Sequence, residues 1–272
     1  MTNDAKLQKD AMHILKLTSR TFYIPIKLLN PTLRKAVGSA YLCMRAIDEI
    51  EDHELMEADT KQFLLQETSK LLQDDFNNDA YEELLRPHSD ILPEVSMRLG
   101  DWLEVCPDDV LEKVKESTSI MAGGMAKWVG KDFDIKTSDD LDDYTYYVAG
   151  LVGVMLSDIW EAYDGTKTDR DLAIGYGRGL QAVNMLRNQH EDADRGVRFI
   201  PDGWTRDDMF TYAETNLAKA DEYIKTISTK NILVFCKIPL ALAKSTLSAL
   251  QSGREKMNRT EVESTVAAIM KE

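Results

Sequence analysis

The chain has 272 residues, enough for one large hydrophobic core or two small ones, and a formal net charge of −14. This acidic balance argues against nucleic acid as a partner, and it predicts no broad basic surface for anionic lipid. Three scattered cysteines without a C-x-x-C pair indicate a reducing compartment and no structural zinc. We also expect no signal peptide and no membrane anchor.

Helical periodicity recurs along nearly the whole chain, whereas strand alternation with turn dipeptides is absent. The sequence therefore predicts an all-α fold. Because no Pro/Gly/Ser-rich linker interrupts it, we expect a single domain over residues 1–272. The polar stretch 73–79 is predicted to be a helix–helix loop. Helix N-caps are predicted at Ser138–Asp139, at Thr205 with Asp208, and at Asn258.

A long helix is predicted to begin after Asn30 and to run into the acidic stretch 48–52. Asn30 is a good N-cap, and Pro31 suits the first helical position because its missing N–H would have no partner there. The acidic stretch reads Asp-Glu-Ile-Glu-Asp. Its first and last residues, Asp48 and Asp52, lie one helical turn apart on the same face.

The same face of this helix also presents Tyr41 and Arg45, spaced four and three residues ahead of Asp48. Arg45 has two interpretations. One is a salt bridge to Glu49 within the helix, worth about a few tenths of a kcal/mol. The other is a phosphate contact that uses the planar fork of the guanidinium group.

A glycine-containing apolar helix is predicted over residues 144–156, and its apolar surroundings place it centrally. Gly150 and Gly153 would each cost about 1 kcal/mol relative to Ala inside a helix. Glycine is tolerated where another helix or a ligand must approach closely. Helix packing and ligand contact explain the two glycines equally well.

A second helix carries polar residues on one face of an otherwise apolar segment. Gln181, Asn184, Asn188 and Asp192 are spaced three, four and four residues apart. We expect them to point into a cavity, since buried amides need hydrogen-bond partners. Positive charge follows at Arg187 and in the stretch 195–198.

Two helices with oxygen side chains at i and i+4 would form an oxygen-lined cleft if they faced each other. Such a cleft suits Mg²⁺, which is commonly shared between a few carboxylates and substrate phosphates. In so acidic a chain, each run alone is more often a solvated helix face. The polar and apolar neighbours of both runs favour a site for chemistry on a diphosphate.

Six motifs, in this order, resemble those of the squalene/phytoene synthase family over roughly residues 10 to 250. They are Thr18-Ser19-Arg20-Thr21-Phe22, Tyr41 through Asp52 (Y-x-x-x-R-x-x-D-x-x-E-D), Met121 through Ala126, Tyr144 through Ser157 (Y-x-x-Y-V-A-G-L-V-G-x-x-L-S), Gln181 through Asp192, and Phe235 through Pro239. The third resembles a glycine–methionine helix kink. The second and fourth are closest to squalene synthases.

The resemblance implies a class I terpenoid synthase fold, a helical bundle around a central cleft. It implies Mg²⁺-dependent ionisation of a prenyl diphosphate and head-to-head coupling of two C15 or C20 chains through a cyclopropylcarbinyl diphosphate. By this resemblance the metal ligands would be Asp48, Asp52, Asn184, Asn188 and Asp192. The catalytic residues would be Tyr41, Arg45, Tyr144 and Arg187, with Arg45 and Arg187 on the diphosphate and Tyr144 beside the carbocation. Substrate would contact Ser19, Arg20, Thr21, Phe22, Val148, Gly153, Gln181 and Arg198.

Three departures from the family pattern leave alternatives open. Asn188 replaces an Asp, Val197 replaces an Arg although Arg198 follows, and Leu240 replaces a Gln. Asn184, Asn188 and Asp192 resemble the metal triad of ordinary terpene cyclases. A single-substrate cyclase or prenyl diphosphate phosphatase therefore competes with head-to-head coupling. A non-catalytic prenyl diphosphate-binding member is disfavoured by the retained carboxylates.

The resemblance also sets expectations for cofactor, assembly and location. NADPH use is left open, since no glycine-rich dinucleotide fingerprint is present and eukaryotic-type family members lack one too. We expect a monomer or a homodimer. The expected location is the cytoplasm, with transient peripheral contact with a membrane when an apolar product leaves.

Overall fold

Helices make up the regular secondary structure of the described residues. The computed structural model describes residues 3–19, 21–194, 196–255 and 257–271, and no strand occurs among them. The all-α prediction is therefore confirmed. The chain divides into two compact units, Met1–Asp132 and Phe133–Glu272, each described below by itself. One domain over the whole chain stays a prediction.

The first unit is arranged around its third helix. Its helices are α1 (Asn3–Thr18), α2 (Tyr23–Leu28), α3 (Pro31–Glu51), α4 (Ala58–Leu71), α5 (Asn78–Leu85), α6 (Glu94–Met97), α7 (Leu99–Val105) and α8 (Asp108–Val129), with a 3₁₀ turn at Arg86–His88. Helix α3 packs against α1, α2, α4, α6, α7 and α8. The loop between α4 and α5 covers residues 72–77, so the predicted loop over 73–79 extends two residues too far, into α5. Helix α8 continues through Gly123 and Gly124, so the expected kink there is not a break in the helix.

Helix α3 begins where its caps predict. The Asn30 side chain accepts a hydrogen bond from the Leu33 N–H at 3.0 Å, and Pro31 is the first helical residue. The helix ends at Glu51, and Asp52 is its C-cap. Asp48 and Asp52 therefore lie in and just after its last turn, at one end of a helix whose middle is core.

The second unit is arranged around its longest helix. It contains α9 (Ser138–Thr145), a π-helical turn (Tyr146–Gly150), α10 (Leu151–Asp164), α11 (Arg170–Asp194), α12 (Arg206–Lys225), α13 (Lys230–Gln251) and α14 (Arg259–Ile269). Helix α11 packs against α12, α10, α13 and the π-helical turn. The second polar face lies on this central helix, toward its C-terminal end.

The predicted helix over 144–156 was wrong in one respect, because the π-helical turn separates α9 from α10. Glycines let α11 approach this segment closely. A Cβ added at Gly153 would lie 2.1 Å from the Ala173 carbonyl oxygen, and one at Gly177 would lie 2.1 Å from the Ala149 oxygen. Helix packing therefore accounts for Gly153, and its role in substrate binding stays a prediction.

Two of the three predicted N-caps of this unit are confirmed, each as a capping box. Thr205 caps α12 reciprocally with Asp208, and Asn258 caps α14 reciprocally with Glu261. The third prediction was wrong by one residue. Thr137 caps α9, and Ser138 is the first helical residue. Thr137, Ser138 and Asp139 can all cap, so local sequence does not separate them.

Helix α13 has 22 residues and, by length and composition alone, is apolar enough to cross a membrane. Half of its apolar window is buried in the structure. Core helices of soluble proteins pass the same test, so this finding leaves the location of the protein a prediction.

Candidate functional site

The first acidic motif is a compact cluster of charges at the C-terminal end of α3. Arg45 Nη1 donates to Asp48 Oδ2 at 2.8 Å, and Arg45 Nε donates to Glu49 Oε1 at 2.9 Å. The three side chains are each about one quarter to one third exposed. The structure thus contains the predicted ion pair with Glu49, and it adds Asp48 to it. Arg45 is held in place by its own helix.

Asp48 and Asp52 oppose each other electrostatically. Burial, followed by the charge of Asp52, raises the pKa of Asp48 to about 7, although the Arg45 guanidinium works in the opposite direction. A divalent cation near both carboxylates would offset the burial cost and the repulsion together. The pair therefore has the electrostatic character of a cation site.

Glu51, the glutamate of the motif, was given no role in the predicted site, and the structure makes it a member of this cluster. Only 4% of the residue is exposed. Burial, then the charges of Asp52 and Asp48, hold the pKa of its carboxyl well above the usual range. Lys61 Nζ donates to the Glu51 carbonyl at 2.7 Å. The buried Glu51 and its bond to Lys61 thus lie directly before Asp52 at the end of this helix.

The first motif of the sequence lies beside the same helix. Ser19 is 3% exposed, and its Oγ accepts a hydrogen bond from the Phe22 N–H at 2.9 Å. Tyr41 on α3 donates its hydroxyl to the Thr18 carbonyl at 3.1 Å, and its ring centroid lies 6.1 Å from that of Phe22. The structure therefore brings Ser19, Phe22 and Tyr41 together. Thr21 is exposed, and Arg20 lies outside the described residues.

Burial raises the pKa of Tyr41, although hydrogen bonding to Ser19 and the nearby Arg45 charge lower it. The phenol stays protonated at neutral pH and acts here as a hydrogen-bond donor. Tyr41 thus contacts the C-terminal end of α1 and lies one turn before Arg45 on α3.

The second polar face differs from its prediction. Asp192 is 6% exposed, Gln181 and Asn188 are half-buried, and Asn184 is exposed. The expectation that all four side chains avoid bulk water was wrong for Asn184. The buried positions of α11 lie one step around the helix, at Ala182, Val183, Met185 and Leu186. The polar face therefore borders the core of this unit instead of entering it.

Asn188 already has a partner on its own helix. Arg187 Nε donates to Asn188 Oδ1 at 3.1 Å, and Arg187 is exposed. An amide has one oxygen that can bind a cation, whereas a carboxylate has two. The hydrogen bond therefore engages the only atom through which Asn188 could bind a metal.

A cavity of about 280 Å³ lies at the end of α11. Its lining is mostly apolar and consists of Met185, Leu186, Gln189, Asp192, Ala193, Gly196, Val197, Arg198, Phe199, Ile200 and Met209. Asp192 and the exposed Arg198 are its charged members. The cavity thus places an apolar space directly beside one expected metal ligand.

Tyr144 lies in an aromatic cluster. It is 4% exposed, stacks on Phe199 with centroids 5.1 Å apart and an interplanar angle of 13°, and meets the edge of Phe133 at 6.0 Å. Val148, in the π-helical turn, is half-buried. Phe199 was missed by sequence reasoning; its position directly after Arg198 was the only signal.

The donor set fits Mg²⁺ when a substrate supplies the remaining ligands. Among the described residues, no three His, Cys, Asp or Glu side chains are grouped to hold a metal by themselves. Mg²⁺ usually binds one or two carboxylates and completes its shell with waters and phosphate oxygens. Asp48 and Asp52 on α3, and Asp192 with the two asparagines on α11, each provide such a partial set.

The chain is similar to known proteins over most of its length. The model of the family described as squalene/phytoene synthase matches residues 15–209. A squalene synthase of Dictyostelium discoideum is 30% identical over 270 residues, covering 87% of this chain and 62% of the relative. A squalene synthase of Schizosaccharomyces pombe is 29% identical over 273 residues, covering 87% and 58%.

Solved structures share the fold. The structure of TcSQS with the ligand BPH1237 has a TM-score of 0.79 at 22% identity, covering 97% of this chain and 86% of that chain. A dehydrosqualene synthase in complex with a ligand has a TM-score of 0.67 at 19% identity, covering 98% and 96%. This chain spans about three fifths of the length of the curated relatives named above.

Proposed function

The chain belongs to the squalene/phytoene synthase family, and from this premise we propose that it ionises a prenyl diphosphate and couples two such substrates head to head. Farnesyl diphosphate is the substrate we favour, and presqualene diphosphate or a squalene-type hydrocarbon is the product. The opposed carboxylates of the half-buried Asp48 and the exposed Asp52 carry the proposal, because a divalent cation bound near both would remove their mutual repulsion.

Departure of the diphosphate is the step that these residues would assist. When bound, Mg²⁺ would neutralise the leaving group as a Lewis acid. The metal ligands that we propose are Asp48 and Asp52 for α3, and Asp192, Asn184 and Asn188 for α11. Arg45, fixed by Asp48 and Glu49, would present its remaining N–H groups to phosphate oxygens without first having to be ordered.

The Ser19 and Tyr41 hydroxyls lie at the same part of the first unit. Tyr41 is positioned by its bond to the Thr18 carbonyl. Both groups can orient a diphosphate oxygen, and Thr21 offers a further hydroxyl at the surface. Binding and orientation by these groups reduce the entropy that the ionisation step must otherwise overcome.

Tyr144 is proposed to face the carbocation. Its stacked partner Phe199 and the edge of Phe133 keep the ring in one orientation. An aromatic face attracts a cation by about 1–2 kcal/mol where water is excluded. The cluster also keeps water away from the reacting carbons, which suppresses premature capture of the cation.

Product analysis tests the proposal. Purified protein is incubated with Mg²⁺ and C10, C15 or C20 prenyl diphosphate, with and without NADPH. A C30 or C40 product, or a cyclopropylcarbinyl diphosphate, supports coupling. Products with the carbon number of a single substrate contradict coupling. Complete inertness toward all three substrates would support the non-catalytic alternative.

Single-substrate chemistry, by hydrolysis or cyclisation, is the second candidate function. The observation that favours it is the hydrogen bond from Arg187 to Asn188. An engaged, neutral ligand would weaken cation binding on α11 relative to α3. Ionisation of one substrate does not require a second chain to be placed beside the first, as coupling does. NADPH would then have no role, so its effect on the products separates the two candidates.

A further inference from the structure

Positive charge is concentrated at the beginning of this acidic chain. The first 35 residues contain seven Lys or Arg and two Asp, whereas the whole chain has a net charge of −14. Such an asymmetry between parts of a sequence indicates an interaction surface, because the average charge hides it. The expectation of no broad basic surface was drawn from that average.

Helix α1 presents three of these seven charges on one face. Lys6, Lys9, His13 and Lys16 are spaced three, four and three residues apart, and all are exposed. Leu17 extends the same face and is 66% exposed. The opposite face is buried in the first unit through Ala11, Ile14 and Leu15. The basic face, defined as residues 6, 9, 13, 16 and 17, therefore points outward along about three turns of helix.

The lysines of this face lack acidic partners among the described residues, in contrast to many cations elsewhere on the protein. Asp10, the nearby acid on α1, lies 3.6 Å from Arg98 of another helix. On other surfaces, Lys70 pairs with Glu67, Lys225 with Glu222 and Arg259 with Glu263. The charge of the basic face is therefore available to an external anion.

We propose that the basic face of α1 docks on an anionic membrane surface. Lysines attract anionic headgroups over about one Debye length, and exposed aliphatic side chains enter the boundary with the acyl chains. Leu17 supplies such a side chain, and Ile24 on α2, 44% exposed with the exposed Lys27 three residues later, supplies another. A nucleic acid would use the charges and leave both aliphatic residues without a role.

Docking through the basic face would bring a membrane close to residues of the proposed diphosphate site. Helix α1 ends at Thr18, whose carbonyl binds Tyr41, and the next residue is Ser19. A membrane held at α1 therefore lies next to the segment that joins α1 and α2. The docking proposal rests on charge and exposure, so it stands or fails separately from the proposed reaction.

Vesicle co-sedimentation tests the proposal with the full chain. The probes are vesicles of phosphatidylcholine alone and vesicles in which about one third of the lipid is phosphatidylglycerol. The test variant is Lys6→Glu/Lys9→Glu/Lys16→Glu. The matched control, Lys70→Glu/Lys225→Glu/Arg259→Glu, changes the net charge equally on other exposed helices. Circular dichroism checks that both variants are folded.

The wild-type chain is expected to bind the anionic vesicles and not the neutral ones, and binding should weaken as salt is added. Each lysine near an anionic surface contributes about fivefold, so the test variant should bind about 100-fold more weakly. The control should lose less than about threefold. Leu17→Ser should weaken binding by a factor that salt does not change.

Three outcomes would overturn the proposal. They are equal binding to neutral vesicles, equal losses in the test and control variants, and no wild-type binding to anionic vesicles even at low salt. Competition with a single-stranded oligonucleotide is the final arm. Displacement at an equal concentration of phosphate groups would assign the face to nucleic acid instead of lipid.

Discussion

The two acidic motifs share one spacing but differ in electrostatics. At the end of α3, Asp48 and Asp52 are joined by Arg45, Glu49 and a buried Glu51. At the end of α11, the equivalent spacing carries two amides and one carboxylate. The pKa of Asp48 is raised to about 7, chiefly by burial and by Asp52. The α11 face has no second carboxylate at i−4 that could act on Asp192 in the same way.

This difference shows that i, i+4 spacing defines where ligands lie and not how strongly they bind. Opposed carboxylates gain much from a cation, because binding removes their mutual repulsion. An amide held by Arg187 gains little. If both helices hold metal in this protein, we therefore expect α3 to contribute most of the affinity.

Removal of either α3 carboxylate is the strongest test of this comparison. Asp48→Ala and Asp52→Ala should each lower diphosphate release by about 100- to 1,000-fold, the usual effect of deleting a preorganised electrostatic group. The measurement is inorganic diphosphate released from a C15 substrate in Mg²⁺. Glu54→Ala is the control, because Glu54 is an exposed acid just beyond the same helix end.

Circular dichroism and a melting curve of each variant must show that the fold is kept. Turnover unchanged by either substitution, or full turnover in excess chelator, would remove the metal site from α3 and end the comparison.

The rise in melting temperature on binding Mg²⁺ and diphosphate should show which of the two helices contributes more to cation binding. Mg²⁺ with inorganic diphosphate at about 100 times the dissociation constant stabilises a folded protein by about 2.7 kcal/mol. For a chain of this size, the expected rise in melting temperature is about 5–10 °C. Asp52→Ala should abolish that rise, whereas Asn188→Ala should retain most of it. Equal losses in the two variants would mean that the helices share the metal evenly.

The close packing of α10 against α11 can be tested without any ligand. Gly153→Ala would place a Cβ 2.1 Å from the Ala173 carbonyl oxygen, so α10 and α11 must separate. Overpacking of this kind costs about 1–3 kcal/mol. Gly123→Ala in α8 is the matched control. Its Cβ would meet nothing closer than Ser69 Oγ at 3.4 Å, and helix propensity favours Ala by about 1 kcal/mol.

Urea unfolding curves give both free energies of unfolding. The packing account of Gly153 requires a loss in the first variant and no loss in the second. A Gly153→Ala variant as stable as wild type would contradict the packing account. Substrate contact would then be the remaining explanation for that glycine.

The features that were predicted correctly are those that depend only on residues close together in the sequence. Asn30 with Pro31 and Thr205 with Asp208 form their caps from side chains within four residues. The all-α fold follows from helical periodicity in the same way. The contact between Ser19 and Phe22 and the bond from Tyr41 to Thr18 were not foreseen.

Features that depend on distant residues were not predictable. The π-helical turn over Tyr146–Gly150 lies where α11 approaches closely, at Gly177 against the Ala149 carbonyl. The stacking of Tyr144 on Phe199 joins residues far apart in sequence. The exposure of Asn184 depends on which side of α11 meets α12. Each of these required the packing of whole helices to be known.

Substitution of Asn188 by Asp is expected to have the smallest effect and to decide between the two candidate functions. A carboxylate can keep one oxygen on Arg187 and offer the other to a cation, which the amide cannot do. At about 4 Å the added attraction is at least about 1 kcal/mol, so Mg²⁺ should bind roughly tenfold more tightly. If wild type couples two chains, Asn188→Asp should preserve or increase the C30 product made from C15 diphosphate with NADPH. If the α11 face serves one substrate, both proteins should yield only farnesol or a cyclic C15 hydrocarbon, and tighter metal binding should leave that spectrum unchanged. Mg²⁺ affinity and product identity, measured on both proteins, therefore show whether Asn188 is a weakened metal ligand in a coupling enzyme or belongs to an enzyme that acts on one substrate.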